Sequence, residues 1–213
     1  SHNPQDDNGI KLYSDNGFKL LEKEERIIEQ NILKRLNQNN YIFEGKIGIH
    51  KKPNLLYKKY ALGIKNIFKR VNIADKILID CSNGAFSHVA KIALKDYPNV
   101  VFINVSPNGH NINLKCGALE SGRLLKIIRE NKFDYGIAFD GDGDRAIFVN
   151  REYGIIETEK LIVLFSMLLN SGNKNVVSTE ICNKGLEDNL NNIGHKLFQT
   201  KVGDRIVVET AIK

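Results

Sequence analysis

The sequence predicts an α/β protein in which mixed, largely parallel sheets are covered by helices. From residue 77 onwards, short apolar runs alternate with segments of helical periodicity. Such alternation is typical of strands joined by crossover helices, and it makes neighbouring strands parallel. An acidic, glycine-rich segment at 140–145 directly follows one of the apolar runs. Ligands of open α/β sheets bind at that end of a strand, so the fold class also predicts where a site lies.

The first 71 residues predict two helices and a turn-rich opening. Residues 1–20 begin with a polar segment, and the apolar residues that follow it favour a strand. Residues 21–37 alternate charged and apolar side chains at helical spacing, which predicts a helix. The stretch 38–52 is rich in Asn and is interpreted as a connection. Pro53 stands where a helix can begin, and the helical pattern runs over 55–71.

The remaining residues predict two successive β-α series. The first predicts strands at 77–80, 100–105, 135–139 and 146–149, helices at 85–94 and 119–130, and a turn at 152–154. The second predicts helices at 161–169, at 185–192 and from about 204, with strands at 176–178 and 196–199. The second series therefore suggests a further, incomplete domain.

Charge and hydropathy favour neither a nucleic-acid nor a membrane partner. The net charge is +6, but the cations are spread along the chain. Their densest grouping lies in or beside an amphipathic helix and is best explained as a solvated face: Lys51, Lys52, Lys58 and Lys59. No apolar run approaches the roughly 18 residues that a transmembrane helix needs.

The cysteines and histidines show no metal or disulfide spacing. Cys81, Cys116 and Cys182 are widely separated, which predicts neither a disulfide framework nor a zinc site. Without a secretory signal, the expected compartment is the cytosol. Cys81 follows an apolar strand and is expected to be buried and inert. Apart from His2, the histidines are expected at surface or hydrogen-bonded positions: His50, His88, His110 and His195.

The segment at 140–145 predicts a metal site. Asp140, Asp142 and Asp144 alternate with glycines, which let the backbone turn so that three carboxylates converge on one hard cation, expected to be Mg²⁺. An EF-hand is disfavoured because its sixth and twelfth positions require Gly and Glu, whereas this chain has Arg145 and Arg151. A solvated acidic turn without metal is the other alternative, and mutual repulsion of the carboxylates argues against it.

The first residues form a second group of reactive side chains. Ser1, His2 and Lys11 combine a nucleophile with two groups capable of proton transfer. Pro4 and the Asn8-Gly9 pair favour turns that would hold these side chains on a rigid loop. A plain capped turn without catalytic function explains the same residues, and chemistry alone leaves both interpretations open.

Taken together, these motifs resemble those of the α-D-phosphohexomutases. The resemblance rests on Ser-His-Asn-Pro at 1–4, Asp-Asn-Gly-Ile-Lys at 7–11 and Asp-Gly-Asp-Gly-Asp-Arg at 140–145, and it runs the whole length of the chain. Segments 80–85, 107–113 and 201–205 favour the subgroup that acts on glucosamine phosphates. The sequence departs from the family pattern at 118–120, 158–159 and 179–183. Those departures leave local contacts open but spare the serine and acidic motifs.

The resemblance implies roles for individual residues. Ser1 matches the serine that carries the phosphoryl group, and its phosphate would join the three aspartates around one Mg²⁺. Arg145 matches an arginine beside that phosphate, and His2 and Lys11 match residues of proton transfer and charge stabilisation. Gly203 and Asp204 match a loop that faces the sugar.

The resemblance also implies a reaction and a domain plan. The expected reaction interconverts glucosamine 6-phosphate and glucosamine 1-phosphate through a phosphoserine and a bisphosphate, feeding UDP-N-acetylglucosamine and cell-wall precursor synthesis. A phosphomannomutase or phosphoglucomutase and a non-catalytic metal-binding remnant are the alternatives. Expected partners are a phosphorylated hexosamine and, for a full-length protein, a second copy in a homodimer.

The implied domain plan has three parts. Residues 1–50 are the tail of a first domain, 51–152 a second domain with the acidic loop, and 153–213 the start of a third. Most of the first domain, the end of the third and the fourth would lie outside this sequence. We therefore expect the 213-residue chain to be inactive alone.

Overall fold

The computed structural model describes residues 3–7, 9–37, 56–69, 71–169 and 172–212. The chain divides into two compact units, one formed by Asn8–Asn54 and the other by Ser1–Asp7 together with Leu55–Lys213. The predicted connection at 38–52 and the serine motif's Ser1 and His2 lie outside the described residues.

The smaller unit contains one long helix, α1, which spans Glu22–Asn37. Its start follows from sequence, because the Glu24 side chain reaches back to accept a hydrogen bond from the Leu21 backbone N at 2.8 Å. Acidic residues in the first turn and basic ones in the last complement the helix dipole. The strand context expected before α1 is reduced to one isolated bridge, between Tyr13 and Lys19.

The larger unit is built on a five-stranded mixed sheet in the order β2-β1-β3-β4-β5. Strand β1 pairs in parallel with β2 and β3, whereas β3–β4 and β4–β5 are antiparallel. The strands are β1 Ile77–Asp80, β2 Val100–Ile103, β3 Tyr135–Phe139, β4 Ala146–Asn150 and β5 Gly154–Ile156.

Helices cover both faces of this sheet because alternate residues of each strand point to opposite sides. One core joins Leu78 of β1 to Leu124 and Ile128, and the other joins Ile79 to Ala90. The helices are α2 Leu56–Phe68, which packs on α3, then α3 Phe86–Ala93 and α4 Ser121–Glu130, with a 3₁₀ turn Ala118–Glu120 before α4.

The second β-α series forms a two-stranded parallel sheet, β6–β7, among the described residues. Leu186 and Leu190 are its fully buried apolar side chains, both on α6. The Asn183 side chain caps α6 by accepting from the Leu186 backbone N at 3.1 Å. The elements are α5 Thr158–Leu168, β6 Asn175–Thr179, α6 Lys184–Asn192, β7 Lys196–Thr200 and α7 Asp204–Ile212.

The α/β class and the mixed sheet are confirmed. Several bounds differ from the predictions. Strand β5 begins at Gly154, where only the end of a turn was expected, β2 ends at Ile103 instead of residue 105, and α5 begins at Thr158 instead of residue 161. No helix in the described part of the chain combines the length and apolarity needed to cross a membrane.

The strand order places two acidic residues side by side. From β1 the chain crosses to β2 on one side and later returns to β3 on the other. The carboxyl ends of β1 and β3 therefore meet at the switch point, where ligands of open α/β sheets bind. Asp80 ends β1, and Asp140 directly follows β3. The fold thus positions a site at these two residues.

Candidate functional site

The acidic loop between β3 and β4 is a tight turn that brings three carboxylates together. The Asp140 backbone N donates to the Arg145 carbonyl at 3.2 Å, and the Gly143 N donates to the Asp140 carbonyl at 3.1 Å. Gly143 has φ +77°, a left-handed conformation that suits glycine. One carboxylate oxygen of each of Asp140, Asp142 and Asp144 then lies within 4.8 Å of the others. The three carboxylates therefore lie close together, as a shared cation would require.

Asp140 is the strongest indication of a cation. Its side chain is 0% exposed. Its Oδ1 accepts from the backbone N of Gly143 at 3.1 Å and of Arg145 at 3.2 Å. Its Oδ2 is buried and has no hydrogen-bond partner among the residues that the structure describes. A buried carboxylate oxygen left in this way is costly, and a bound cation would satisfy it.

The other two acids complete a donor set suited to a hard cation. Asp142 and Asp144 are exposed, so they can reach an ion from the solvent side while Asp140 holds it from below. Three carboxylates at this distance repel one another, and a divalent ion removes that repulsion. Oxygen-only ligands favour Mg²⁺, Ca²⁺ or Mn²⁺ over softer metals. The residues present therefore fit a divalent metal.

Asp80, to which the sequence analysis assigned no role, organises the backbone beside this loop. It is 3% exposed. Its Oδ1 accepts from the Ser82 backbone N and from Asn104 Nδ2, both at 2.9 Å, and its Oδ2 accepts from the Gly117 N at 2.9 Å. The carboxylate thus joins the ends of β1 and β2 to the segment before α4. We call Asp80 and its three donors the Asp80 bracket.

The acidic loop rests directly on the segment that follows β1. The Ala85 backbone N donates to the Gly141 carbonyl at 2.8 Å. A Cβ added to Gly84 would stand 2.1 Å from the Gly141 oxygen, so only glycine permits this approach. A contact of two distant backbones leaves no local pattern, and this explains why sequence reasoning missed it. A useful signal was available for Asp80, an acid at the end of the first buried strand.

The other predicted site residues are only partly brought together. The Arg145 backbone belongs to the acidic loop, and its side chain is exposed. Lys11 is exposed and lies in the smaller unit. Gly203, with φ 148°, precedes α7, and Asp204 begins that helix. Ser1 and His2 lie outside the described residues.

The cysteines are thiols without a role in this site. Burial raises the pKa of Cys81 to about 12, and the nearby Asp80 charge adds to the effect. The same two causes raise the pKa of Cys116 to about 11. Both groups therefore stay protonated at neutral pH, which agrees with the expectation that Cys81 is buried and inert.

Three family patterns match the chain along its length. The alpha/beta/alpha domain II of phosphoglucomutase/phosphomannomutase matches residues 58–154, domain I matches 1–39 and domain III matches 158–213. Together with the α/β fold and the acidic loop, these matches define the class of the protein. The chain belongs to the phosphoglucomutase/phosphomannomutase family, the α-D-phosphohexomutases.

Curated relatives narrow the resemblance to one subgroup. The phosphoglucosamine mutase of Campylobacter hominis is 40% identical over 98% of this chain and 49% of its own length. Those of Zymomonas mobilis subsp. mobilis and Bartonella henselae are 37% and 38% identical, over 98% and 100% of this chain, with 48% of each relative covered. The chain thus spans about half the length of the curated relatives it matches.

Solved structures agree on the fold. A phosphoglucomutase/phosphomannomutase family protein from Burkholderia thailandensis gives a TM-score of 0.65 at 20% identity, over 94% of this chain and 42% of that one. The apo-form of an N-acetylglucosamine-phosphate mutase gives 0.51 at 22% identity, over 73% and 39%. At these identities the likeness supports the fold alone.

Proposed function

We propose that the protein carrying this chain is a phosphoglucosamine mutase that interconverts glucosamine 6-phosphate and glucosamine 1-phosphate. The observation that supports this most is the buried Oδ2 of Asp140, which has no hydrogen-bond partner in the described part of the chain and lies beside two further carboxylates. The curated relatives of the chain are phosphoglucosamine mutases. The substrate class comes from those relatives, and the chemistry comes from the acidic loop and the serine motif.

In this proposal the acidic loop holds Mg²⁺ with Asp140, Asp142 and Asp144, and a phosphate oxygen on Ser1 joins them. When bound, the ion supplies positive charge that stabilises the phosphoryl oxygens during transfer. Asp140 fixes the inner side of the site because two backbone N–H groups hold its other oxygen. Arg145, which belongs to the acidic loop, would add positive charge for the same oxygens, and Lys11 keeps the charge-stabilising role that the family resemblance implies.

The chain's own residues carry the transfer. A hydroxyl of the hexosamine phosphate attacks the phosphorus on Ser1, a sugar O–P bond forms and the Oγ–P bond breaks. The hydroxyl proton passes to His2 or Lys11, and the group that takes it returns a proton to Ser1 Oγ, which leaves phosphorus and ends the step as a hydroxyl. The bisphosphate then reorients in the site, and the same steps in reverse return its other phosphoryl group to Ser1. Phosphate is conserved, so the net reaction is an isomerisation.

Gly203 and Asp204 would contact the sugar, and the substrate is the only partner that this mechanism requires. The cytosolic location stays a prediction. A homodimer of the full-length protein likewise stays a prediction.

Phosphorus NMR of the protein carrying this chain tests the function. We expect glucosamine 1-phosphate to be converted to glucosamine 6-phosphate faster than glucose 1-phosphate or mannose 1-phosphate is isomerised. A Ser1→Ala variant should lose conversion, because no oxygen remains to carry the phosphoryl group. Full activity of Ser1→Ala would refute the phosphoserine mechanism.

The same experiment distinguishes the alternatives. Faster conversion of mannose or glucose 1-phosphate would favour a phosphomannomutase or phosphoglucomutase. Absence of conversion for all three sugars, with metal binding retained, would favour a metal-binding remnant. The 213-residue chain by itself is expected to bind metal without turnover, and mutase activity of that chain would contradict this part of the proposal.

A further inference from the structure

Two residues that follow Ser1 in the sequence, Asn3 and Gln5, are hydrogen-bonded to the loop after β2. Asn113 Nδ2 donates to the Asn3 carbonyl at 2.9 Å. His110 Nδ1 lies 2.7 Å from Gln5 Oε1, a hydrogen bond in which the imidazole donates when the amide is oriented in this way. All four residues belong to the larger unit. The serine motif is therefore held to the unit that contains the acidic loop by contacts more than 100 residues apart in sequence.

The loop that makes these contacts is itself ordered by asparagine side chains. Asn111 Oδ1 accepts from the Asn108 backbone N at 3.0 Å, and its Nδ2 donates to the Ser106 carbonyl at 3.0 Å. Asn108 Oδ1 accepts from the His110 N at 2.8 Å. Because each amide fixes a neighbouring backbone group, the loop offers its outer side chains from a defined position.

The loop also rests on the Asp80 bracket. The Asn113 backbone N donates to the Ser82 carbonyl at 2.9 Å, and the Ser106 N donates to Asn83 Oδ1 at 3.1 Å. Ser82 is one of the donors to Asp80, and the same segment supports the acidic loop where Gly84 meets Gly141. One stretch of backbone after β1 thus supports both the acidic loop and the loop that holds Asn3.

We propose that Asn113 is a positioning residue that sets Ser1 against the acidic loop by holding the Asn3 carbonyl. This inference rests on the proposed function. Ser1 is two residues from Asn3 in the sequence. The Asn113 backbone N donates to the Ser82 carbonyl, so the bond from Asn113 to the Asn3 carbonyl ties residue 3 to the segment that supports the acidic loop. Phosphoryl transfer depends on such positioning, and a misplacement of about 1 Å can lower the rate roughly 100-fold.

The variant Asn113→Asp tests this hydrogen bond. It keeps the size of the side chain and its tolerance of the left-handed φ of 56°, but it replaces the N–H donor by an acceptor facing the Asn3 carbonyl. Asn131→Asp is the matched control, since Asn131 Nδ2 donates to the Ile127 carbonyl at 2.9 Å at the end of α4. Asn113→Gly removes the side chain without straining φ and serves if Asn113→Asp does not fold.

In the protein carrying this chain, we expect Asn113→Asp to lower kcat roughly tenfold or more, with KM and the Kd for Mn²⁺ within about twofold of wild type. Asn131→Asp should match the wild type in all three. A role confined to stability would leave kcat per folded molecule unchanged. An unchanged kcat, or a loss of Mn²⁺ affinity as large as the loss of kcat, would overturn the proposal.

Amide hydrogen exchange of residues 1–7 provides a readout that does not need turnover. Loss of the Asn113 bond should accelerate exchange of this segment in Asn113→Asp and leave it unchanged in Asn131→Asp. Absence of mutase activity in the wild type would count against the proposed function alone, and the exchange rates would still decide this inference. Equal exchange in wild type and Asn113→Asp would overturn it.

Discussion

At the scale of single residues, the two buried carboxylates at the switch point differ in how their oxygens are used. Both oxygens of Asp80 accept hydrogen bonds, whereas Oδ2 of Asp140 has no partner among the described residues. A satisfied buried carboxylate stabilises the backbone around it, and an unsatisfied one costs stability until a ligand binds. Asp80 therefore has a structural role, whereas the partner that Oδ2 of Asp140 lacks is the metal ion that we propose.

Substitution of Asp80 tests the first half of this distinction. Asp80→Asn replaces one carboxylate oxygen by an amide N–H₂ group, which cannot accept a hydrogen bond from the donors that now converge there. The substitution should therefore lower the free energy of unfolding by about 2–3 kcal/mol. Asp134→Asn is the control, because Asp134 accepts from the Lys76 N at 2.9 Å and pairs with Arg151 at a half-exposed position. Its cost should be about 1 kcal/mol or less.

Urea denaturation monitored by circular dichroism measures both values. Equal losses for Asp80→Asn and Asp134→Asn would contradict the special role of the bracket.

The thiols provide a prediction that depends on pH. Burial raises the pKa of Cys81 to about 12 and that of Cys116 to about 11, so the reactive thiolate forms only as the pH rises towards those values. At pH 8 roughly one Cys116 in a thousand is ionised. Iodoacetamide should therefore modify Cys182, which is only partly buried, and spare the other two in the folded chain.

Peptide mass spectrometry after a timed reaction at pH 8 reads out the three sites. Modification of Cys81 at a rate equal to that of Cys182 would show that β1 is not packed as described.

At the scale of elements, the acidic loop depends on the segment between β1 and α3. Gly84→Ala introduces a Cβ 2.1 Å from the Gly141 oxygen, and the backbone of the acidic loop must move to relieve the contact. We expect a loss of about 1–3 kcal/mol in the free energy of unfolding and weaker Mn²⁺ binding.

Gly122→Ala is the matched control for that substitution. Gly122 lies in α4 with nothing within 4 Å of its added Cβ, so alanine should raise stability by up to about 1 kcal/mol and leave the Kd for Mn²⁺ unchanged. If both alanine variants bind Mn²⁺ as the wild type does, the acidic loop does not depend on the contact at Gly84.

Local patterns explain which elements could be predicted from sequence. Strands β1 and β3 have their predicted bounds, because each is a short apolar run ended by an acid. Strand β5 has three residues and begins in a left-handed glycine, so it carries too little periodicity to be recognised. The antiparallel pairing of β3 with β4 follows from the short acidic loop between them.

The candidate site also has a part that could be predicted from sequence and a part that could not. The three aspartates and Arg145 could be predicted because a single loop contains all of them. The Asp80 bracket and the hold of Asn113 on Asn3 could not, since each joins segments that are far apart in sequence. Such contacts arise only when the parallel order β2-β1-β3 brings strand ends together.

At the scale of the whole molecule, the two sheets are supported to different extents. Strand β1 has a hydrogen-bonded neighbour on each side and side chains in two core clusters, whereas β6 and β7 pair only with each other among the described residues. Local opening costs more where a strand is enclosed. The backbone amide hydrogens of β1 and β3 should therefore exchange at least roughly ten times more slowly than those of β6 and β7.

Hydrogen exchange of the 213-residue chain, followed by NMR or mass spectrometry, measures this difference. Equal protection of the two sheets would mean that the chain opens as one cooperative unit.

The proposed function depends on a metal at the acidic loop. Mn²⁺ shares the oxygen preference of Mg²⁺ and can be followed directly by calorimetry or electron paramagnetic resonance. Asp140→Asn keeps an oxygen that accepts from the Gly143 and Arg145 N–H groups. It removes the negative charge of the carboxylate and replaces the buried Oδ2 by an amide nitrogen. Titration of the wild-type chain should give one Mn²⁺ per chain, and Asp140→Asn should weaken binding by roughly tenfold or more. Equal binding by the two proteins, or no binding by the wild type, would contradict the assignment of this loop as the metal centre.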